Sequence, residues 1–241
     1  MLILCSPSNP TGAVYSAAQL AALAAVVARH PRLLVLSDEI YEHIIYSPAT
    51  HTSFASLPGM WARTVTVNGF SKAFAMTGWR MGYLAAPTWL ASAAASIQGQ
   101  TTSGASSVAQ KAALAALGLG HAGGQAVAAM VTAFRSRRDY VCARIAAWPG
   151  AVMRVPEGAF YVMPDMGGYT GKGAQAPGFG PIPDTDMLAT YLLQYANVAL
   201  VPGEAFGAPG TVRISYAASQ EVLTEALDRI EKALAAIRRD A

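Results

Sequence analysis

The chain opens on a short apolar run, Leu2-Ile3-Leu4-Cys5, which is cut off by Ser6-Pro7-Ser8-Asn9-Pro10-Thr11-Gly12. Two prolines and a glycine packed so closely make a loop, so the pattern predicts a strand and then a turn-rich connection. From Ser16 the period becomes helical: Ser16 can cap, and Leu20, Leu23, Val26 and Val27 recur at helix spacing until Pro31 stops the run. Residues 33–36 form a continuous apolar stretch and residues 64–67 a β-branched one, and both predict strands of a sheet covered on its two faces. Long Ala-rich helices are expected over 103–119 and 125–148, with Arg135, Arg137, Arg138 and Asp139 marking a wet face. After Pro149-Gly150 the segments shorten: strands at 152–155, 159–163, 198–201 and 212–216, and helices at 186–195 and 220–238. Residues 167–183 are rich in glycine and proline with hardly an aliphatic side chain, which predicts a mobile loop.

Strand, helix, strand, linker, strand is the signature of an α/β fold, a mostly parallel sheet with flanking helices and right-handed crossovers. The shorter segments that follow predict a smaller α+β C-terminal domain. The division is expected at residues 1–124 and 125–241, the second part including an interdomain helix. In such sheets ligands collect beyond the carboxyl ends of the strands. Asn9, then Asp38 with Tyr41, then Lys72 stand just beyond the first three predicted strands, where that rule places a site.

Composition removes several function classes. The 241 residues are 53% hydrophobic and only 13% charged, which excludes a disordered tail and a coiled coil. A net charge of +3 from 17 basic and 14 acidic residues, with no basic cluster beyond Arg135 to Arg138, offers no footprint for nucleic acid but leaves anionic small molecules open. Cys5 and Cys142 make no disulfide framework and have no metal spacing with the histidines, so a reducing compartment, the cytoplasm, is expected. The longest uncharged stretch, 81–110, is broken by Pro87 and by the polar run 98–104, so no membrane span is predicted. The first residues have no basic region and meet Pro7 early, unlike a signal peptide.

The chemistry concentrates in Val67-Asn68-Gly69-Phe70-Ser71-Lys72 and in Arg80, eight residues on. Lys72 is either a surface lysine whose stem lies along the protein or, in a half-buried setting beside a cation, an amine able to form a Schiff base. Asp38 is either a turn-capping carboxylate or an anion placed opposite a pyridinium nitrogen, with Tyr41 ready to donate to a phenolate oxygen.

Taken in order, Ser8-Asn9-Pro10-Thr11-Gly12, Ser37-Asp38-Glu39-Ile40-Tyr41, Ser71-Lys72, Gly78-Trp79-Arg80-Met81-Gly82-Tyr83, Gln98 to Gln110, Pro156-Glu157-Gly158-Ala159-Phe160-Tyr161, Pro202-Gly203-Glu204-Ala205-Phe206-Gly207 and Val212-Arg213-Ile214-Ser215-Tyr216 carry a family pattern. The chain resembles the C-terminal three-fifths of a fold-type I, pyridoxal-phosphate-dependent aminotransferase of class I/II, in its bacterial aspartate-aminotransferase-like branch. The resemblance implies that Lys72 holds pyridoxal 5′-phosphate covalently and shuttles a proton. It implies that Asp38 pairs with the ring nitrogen, that Asn9 and Tyr41 bond the ring's 3′ oxygen, that Arg80 clamps the phosphate and that Arg213 binds the substrate carboxylate. It further implies amino-acid and 2-oxo-acid substrates and a homodimer.

Against the family pattern, the N-terminal part that supplies a phosphate cradle is expected to be missing, which points to a fragment. Gly69 stands where relatives carry a phosphate-binding serine, and the segment around 171–183 resembles an insertion. Glu39 and Glu157 are expected to be solvated or capping, and Trp79 and Tyr83 to be packing residues. Phe160 and Tyr161 are expected either in the core or lining the substrate side of the small domain. A noncatalytic cofactor-binding regulator half, an inactive fragment, and a β-lyase or decarboxylase on the same fold remain alternatives.

Overall fold

The computed structural model describes residues 1–239 and groups them into two compact units. The first comprises Met1–Asn9, Ala13–Thr132 and Glu157–Ala159; the second comprises Pro10–Gly12, Ala133–Pro156 and the residues from Phe160 onward.

Within the first unit, β1 (Leu2–Cys5), α1 (Ala17–Ala28), β2 (Val35–Asp38), β3 (Thr64–Gly69), β4 (Gly82–Ala85), α2 (Thr88–Thr101) and α3 (Ser107–Leu117) follow one another. The four strands make one sheet in sequence order, with β1, β2 and β3 parallel and β4 antiparallel to β3. The Ser16 cap is realised as a capping box with Gln19, which satisfies the first free amides of α1. Leu20, Ala24 and Val27 of α1 then pack against Leu4, Val35, Phe54 and Met60. A second cluster joins Ala113 and Ala116 of α3 to Phe70.

The observed boundaries differ from the apolar pattern in instructive places. Leu33 closes a turn on the His30 carbonyl, so β2 begins at Val35 and ends on Asp38, which is the last strand residue and not the first residue after the strand. The pattern gave no element for β4 or α2. Here α2 buries none of its residues, with Trp89 60% and Ile97 67% exposed, and Ser92, Ser96 and the polar run from Gln98 interrupt its apolar positions.

The second unit takes over partway along α4 (Gly124–Ala146). It continues with β5 (Tyr161–Val162), β6 (Ala174–Ala176), β7 (Gly180–Pro181), α5 (Thr185–Ala196), β8 (Val201–Pro202), β9 (Val212–Ser215), α6 (Gln220–Ala236) and β10 (Arg238–Arg239). Two antiparallel sheets form, in the orders β5-β9-β8 and β10-β6-β7. Ser219 caps α6, and Leu223, Leu227, Ile230 and Leu234 give it one buried stripe. The strand expected over 152–155 reduces to a single bridge between Val152 and Asp165.

The glycine- and proline-rich segment is not a loose loop. It carries β6 and β7, and Ala174, Ala176 and Ile182 are buried. It is also anchored on α5: the Tyr195 hydroxyl donates to the Gly178 carbonyl, and Phe179 packs 5.3 Å from the Tyr191 ring and 5.7 Å from that of Tyr195. Composition alone hides packing that another element supplies. No helix among the described residues is long and apolar enough to cross a membrane.

Candidate active site

The parallel register brings the carboxyl ends of three strands level, with Cys5 beside Asp38 and Asp38 beside Val67. Asp38 is half-buried, and its Oδ1 accepts from the Ile40 amide at 3.1 Å, which leaves its other oxygen free of that turn. Burial pushes the Cys5 thiol up, and the Asp38 charge pushes it further, while the Asn9 amide and Ser8 oppose. Asn9 is exposed, on a loop whose ends are tied where the Ser8 amide donates to Ala13 at 2.9 Å. Asn9 and Asp38 therefore both border Cys5.

Lys72 follows the end of β3 and is half-buried, its Nζ 6.0 Å from the centre of the Tyr41 ring. Tyr41 is 3% exposed, so the lysine stands over a fixed aromatic surface. Gly69, the departure from the family pattern, has a local reason. It pairs with Gly82 across the β3-β4 ladder, and a Cβ on it would lie 3.2 Å from the Met81 oxygen and 3.3 Å from the Gly82 Cα.

Arg80 ends a short 3-10 turn in the left-handed region, at φ 51°. It is exposed, and its Nη1 donates to the Thr77 carbonyl at 3.1 Å. It borders an open cavity of about 510 Å³ with Ala75, Gly78, Trp79 and Ser106. Ser106, within the 98–110 stretch of the family pattern but given no role from sequence, starts α3 without using its side chain as a cap. Trp79 and Tyr83, expected to pack, are 47% and 41% exposed; Tyr83 lies against Phe70 with ring centres 5.8 Å apart.

Arg213 lies in the second unit, on β9, where it pairs with Val201 of β8. Its guanidinium carbon is 4.6 Å from the Tyr161 ring centre and 5.0 Å from that of Phe206. A planar cation stacked on two aromatic faces keeps its in-plane N–H donors directed for a bidentate anion. Tyr161 is buried and thus belongs to the core of this unit, while Phe160 packs 5.3 Å from Phe134.

Glu39 overturns the expectation of a solvated or capping residue, being 3% exposed. Its Oε1 accepts from the Ser37 hydroxyl at 2.8 Å, the Ser53 hydroxyl at 3.1 Å and the Phe54 amide at 3.2 Å, and its Oε2 is 3.1 Å from His51 Nε2. Burial alone pushes the carboxyl up, but the bonds from His51, Ser37 and Ser53 together hold it below its ordinary range. Glu42 continues the chain of contacts, accepting from Asn68 Nδ2 at 2.7 Å. The missed signal was a second acidic residue directly after a buried strand, with no basic neighbour in sequence to pair with it. Glu157 is exposed, as expected.

Of the six residues singled out, Asn9, Asp38, Tyr41, Lys72 and Arg80 belong to the first unit, and Arg213 to the second.

Residues 1–230 match the family model of aminotransferase class I and II. The bifunctional aspartate aminotransferase and glutamate/aspartate-prephenate aminotransferase of Petunia hybrida is 60% identical over 238 residues, 99% of this chain and 49% of that protein. An aspartate aminotransferase of Pinus pinaster is 58% identical over 99% of this chain and 48% of its own length. Among solved structures, the aspartate aminotransferase of Rhizobium meliloti superposes with a TM-score of 0.91 at 43% identity, covering 98% of this chain and 58% of that one. The chain thus spans about half the length of the curated relatives it matches. A family match over nearly the whole sequence, joined to the same fold at this level of identity, means that the chain belongs to the class I and II aminotransferases.

Proposed function

We propose that this chain is the part of a pyridoxal-phosphate-dependent aminotransferase that holds the cofactor's reactive end, moving an amino group between an amino acid, aspartate foremost, and a 2-oxo acid. The observation that carries the reading is Lys72, half-buried over Tyr41 at the sheet end that also presents Asp38. Aspartate is favoured because relatives from Petunia hybrida and Pinus pinaster are named for it.

The donor set fits this cofactor group by group. A primary amine suits its aldehyde, a carboxylate suits a protonated ring nitrogen, a phenol and an amide suit its ring oxygen, and a guanidinium beside an open cavity suits its phosphate. When bound, pyridoxal phosphate supplies the electron sink that makes a bond to the substrate Cα breakable. The chain's residues do the rest. Lys72 would hold the cofactor through Nζ and, once the substrate's amino group has displaced it and set its amine free, would take the proton from the substrate Cα as general base. Asp38 keeps the ring nitrogen protonated, Asn9 and Tyr41 hold the ring oxygen, and Arg80, with Ser106 as a second donor, holds the phosphate. Arg213 grips the substrate carboxylate in two parallel bonds, which orients the Cα hydrogen. We assign residues 1–124 to the cofactor domain and 125–241 to the small domain, place the whole protein in the cytoplasm on the strength of its free thiols, and expect it to act as a homodimer.

The test is to add pyridoxal phosphate, reduce with borohydride and map the label by peptide mass spectrometry, with Lys72→Ala as control. Label confined to Lys72 supports the reading, and labelling scattered over surface lysines overturns it for this chain. Amino exchange between aspartate and a 2-oxo acid in the intact protein separates transfer from a lyase, which releases product without an acceptor.

A further inference from the structure

The buried cluster around Glu39 has no part in the roles assigned above, yet its carboxylate is 3% exposed and fully engaged in hydrogen bonds. Each carboxylate commits one oxygen outward: Glu39 Oε1 to Ser37, Ser53 and the Phe54 amide, and Glu42 Oε1 to Asn68. The remaining oxygens both face one atom, His51 Nε2, at 3.1 Å from Glu39 Oε2 and 3.9 Å from Glu42 Oε2. His51 Nε2 thus hydrogen-bonds Glu39 and stands within ion-pair reach of Glu42, so that one imidazole links the two carboxylates. A divalent cation at this point fits less well. Ligating imidazoles are oriented by an acceptor on their other nitrogen, whereas His51 Nδ1 is buried with no hydrogen-bond partner among the described residues.

The positions that this relay ties together matter more than the relay itself. Ser37 lies on β2 one residue before Asp38, Glu39 and Glu42 flank Tyr41 on the turn, and Asn68 lies on β3 four residues before Lys72. The Glu39 amide also donates to Val67 of β3 at 2.9 Å. The turn that carries Tyr41 is therefore tied to β3 on both sides of it in sequence, by the Glu39 amide on Val67 and by the Glu42 carboxylate on Asn68. Other titratable groups facing the relay are His43, 3.4 Å from Glu42 Oε1, and Tyr83, whose hydroxyl is pushed up by burial and then by the charges of Glu42 and Glu39.

We infer that Glu39, acting through His51 and Glu42, is a positioning residue that holds Tyr41 against Lys72 and so sets how tightly the cofactor is held. The inference rests on the cofactor reading proposed above. Glu39→Gln is the informative change, since an amide fills the same space and can still accept from Ser37, Ser53 and Phe54, while the charge is lost. A hydrogen bond to a charged group contributes about 1.5–3 kcal/mol. If about half of that reaches Tyr41, pyridoxal phosphate binding weakens about 3- to 10-fold.

The experiment measures the pyridoxal phosphate dissociation constant of the intact protein, together with the pH midpoint of the bound cofactor's absorbance change. It is run for the parent, Glu39→Gln, His51→Gln, Tyr41→Phe and the Glu39→Gln/Tyr41→Phe pair. The expected result is weaker binding and a displaced midpoint in both relay variants, and a Glu39→Gln effect at most half as large in the Tyr41→Phe background, because the two changes then act on one contact. Binding and midpoint indistinguishable from the parent in folded variants overturn the inference, as do strictly additive effects with Tyr41→Phe. Should Glu39→Gln fail to fold, His51→Gln and its pair with Tyr41→Phe decide the matter by the same criteria. If the parent itself takes no label at Lys72, the cofactor reading fails and this inference falls with it. A labelled Lys72 with silent relay variants removes this inference alone.

Discussion

Replacing Arg80 by alanine and, separately, by glycine distinguishes two contributions of one residue. Its backbone sits at φ 51°, where a Cβ crowds the neighbouring carbonyl at a cost of about 1–2 kcal/mol. Glycine escapes that crowding but loses more freedom on folding, an offset of about 0.5–1 kcal/mol. Both variants lose the exposed bond from Nη1 to Thr77, so it cancels between them. The glycine variant is then more stable than the alanine variant by about 0.5–1 kcal/mol, a difference of about 1–4 °C in Tm for a chain of this size. Affinity follows a different rule. If Arg80 holds the cofactor phosphate as proposed, both variants lose a charged hydrogen bond worth about 1.5–3 kcal/mol and bind pyridoxal phosphate about 10- to 100-fold more weakly. Urea unfolding of the two variants, paired with cofactor titration, tests both halves. Equal midpoints in urea would refute the argument from backbone strain, and parent-like binding by either variant would remove Arg80 from the phosphate.

Four further outcomes are expected. Burial pushes the Cys142 thiol up to about 11, with the Arg138 charge only partly opposing, so alkylation at pH 8 should modify the half-buried Cys5 before Cys142, as peptide mapping over time would show. Glu39 has its carboxyl held below its ordinary range in the folded chain, so its stabilisation is present above the unfolded value of about 4.3 and is lost as pH falls through the lower folded value; acid unfolding of Glu39→Gln should show a shallower dependence below that pH than the parent. Ser16→Ala removes the capping box of α1 and should lower stability by about 1 kcal/mol in urea, with little effect if threonine is placed there instead. Tyr195→Phe deletes the hydroxyl that holds the Gly178 carbonyl and should make the chain between residues 171 and 183 cleave faster in limited proteolysis.

Elements set by local chemistry were legible in the sequence. Ser16 and the apolar spacing that follows announced α1, and the closing helix expected over 220–238 is α6. The strand-end rule led to Asp38, Tyr41 and Lys72 because it depends only on where apolar runs stop. What escaped was set by distant partners. The segment from Gly167 onward owes part of its order to the tyrosines of α5, α2 buries none of its residues, and the burial of Glu39 depends on His51 and Ser53 more than ten residues later. The extension of β2 to Asp38 was likewise invisible, since a polar serine and an aspartate complete the strand only because β1 and β3 pair with them on both sides.

The pairing of β10 with β6 also sets an order of events. Gln175 meets Arg238 and Ala174 meets Arg239, so the hairpin's outer partner arrives about sixty residues later in the chain, after α5 and α6 have been made. Contacts between such distant residues close late, because the loop entropy is lost before the bonds are gained. The glycine-rich hairpin is therefore expected to acquire amide protection in step with the last turn of α6, so that during refolding the second unit seals last at its C-terminal strand.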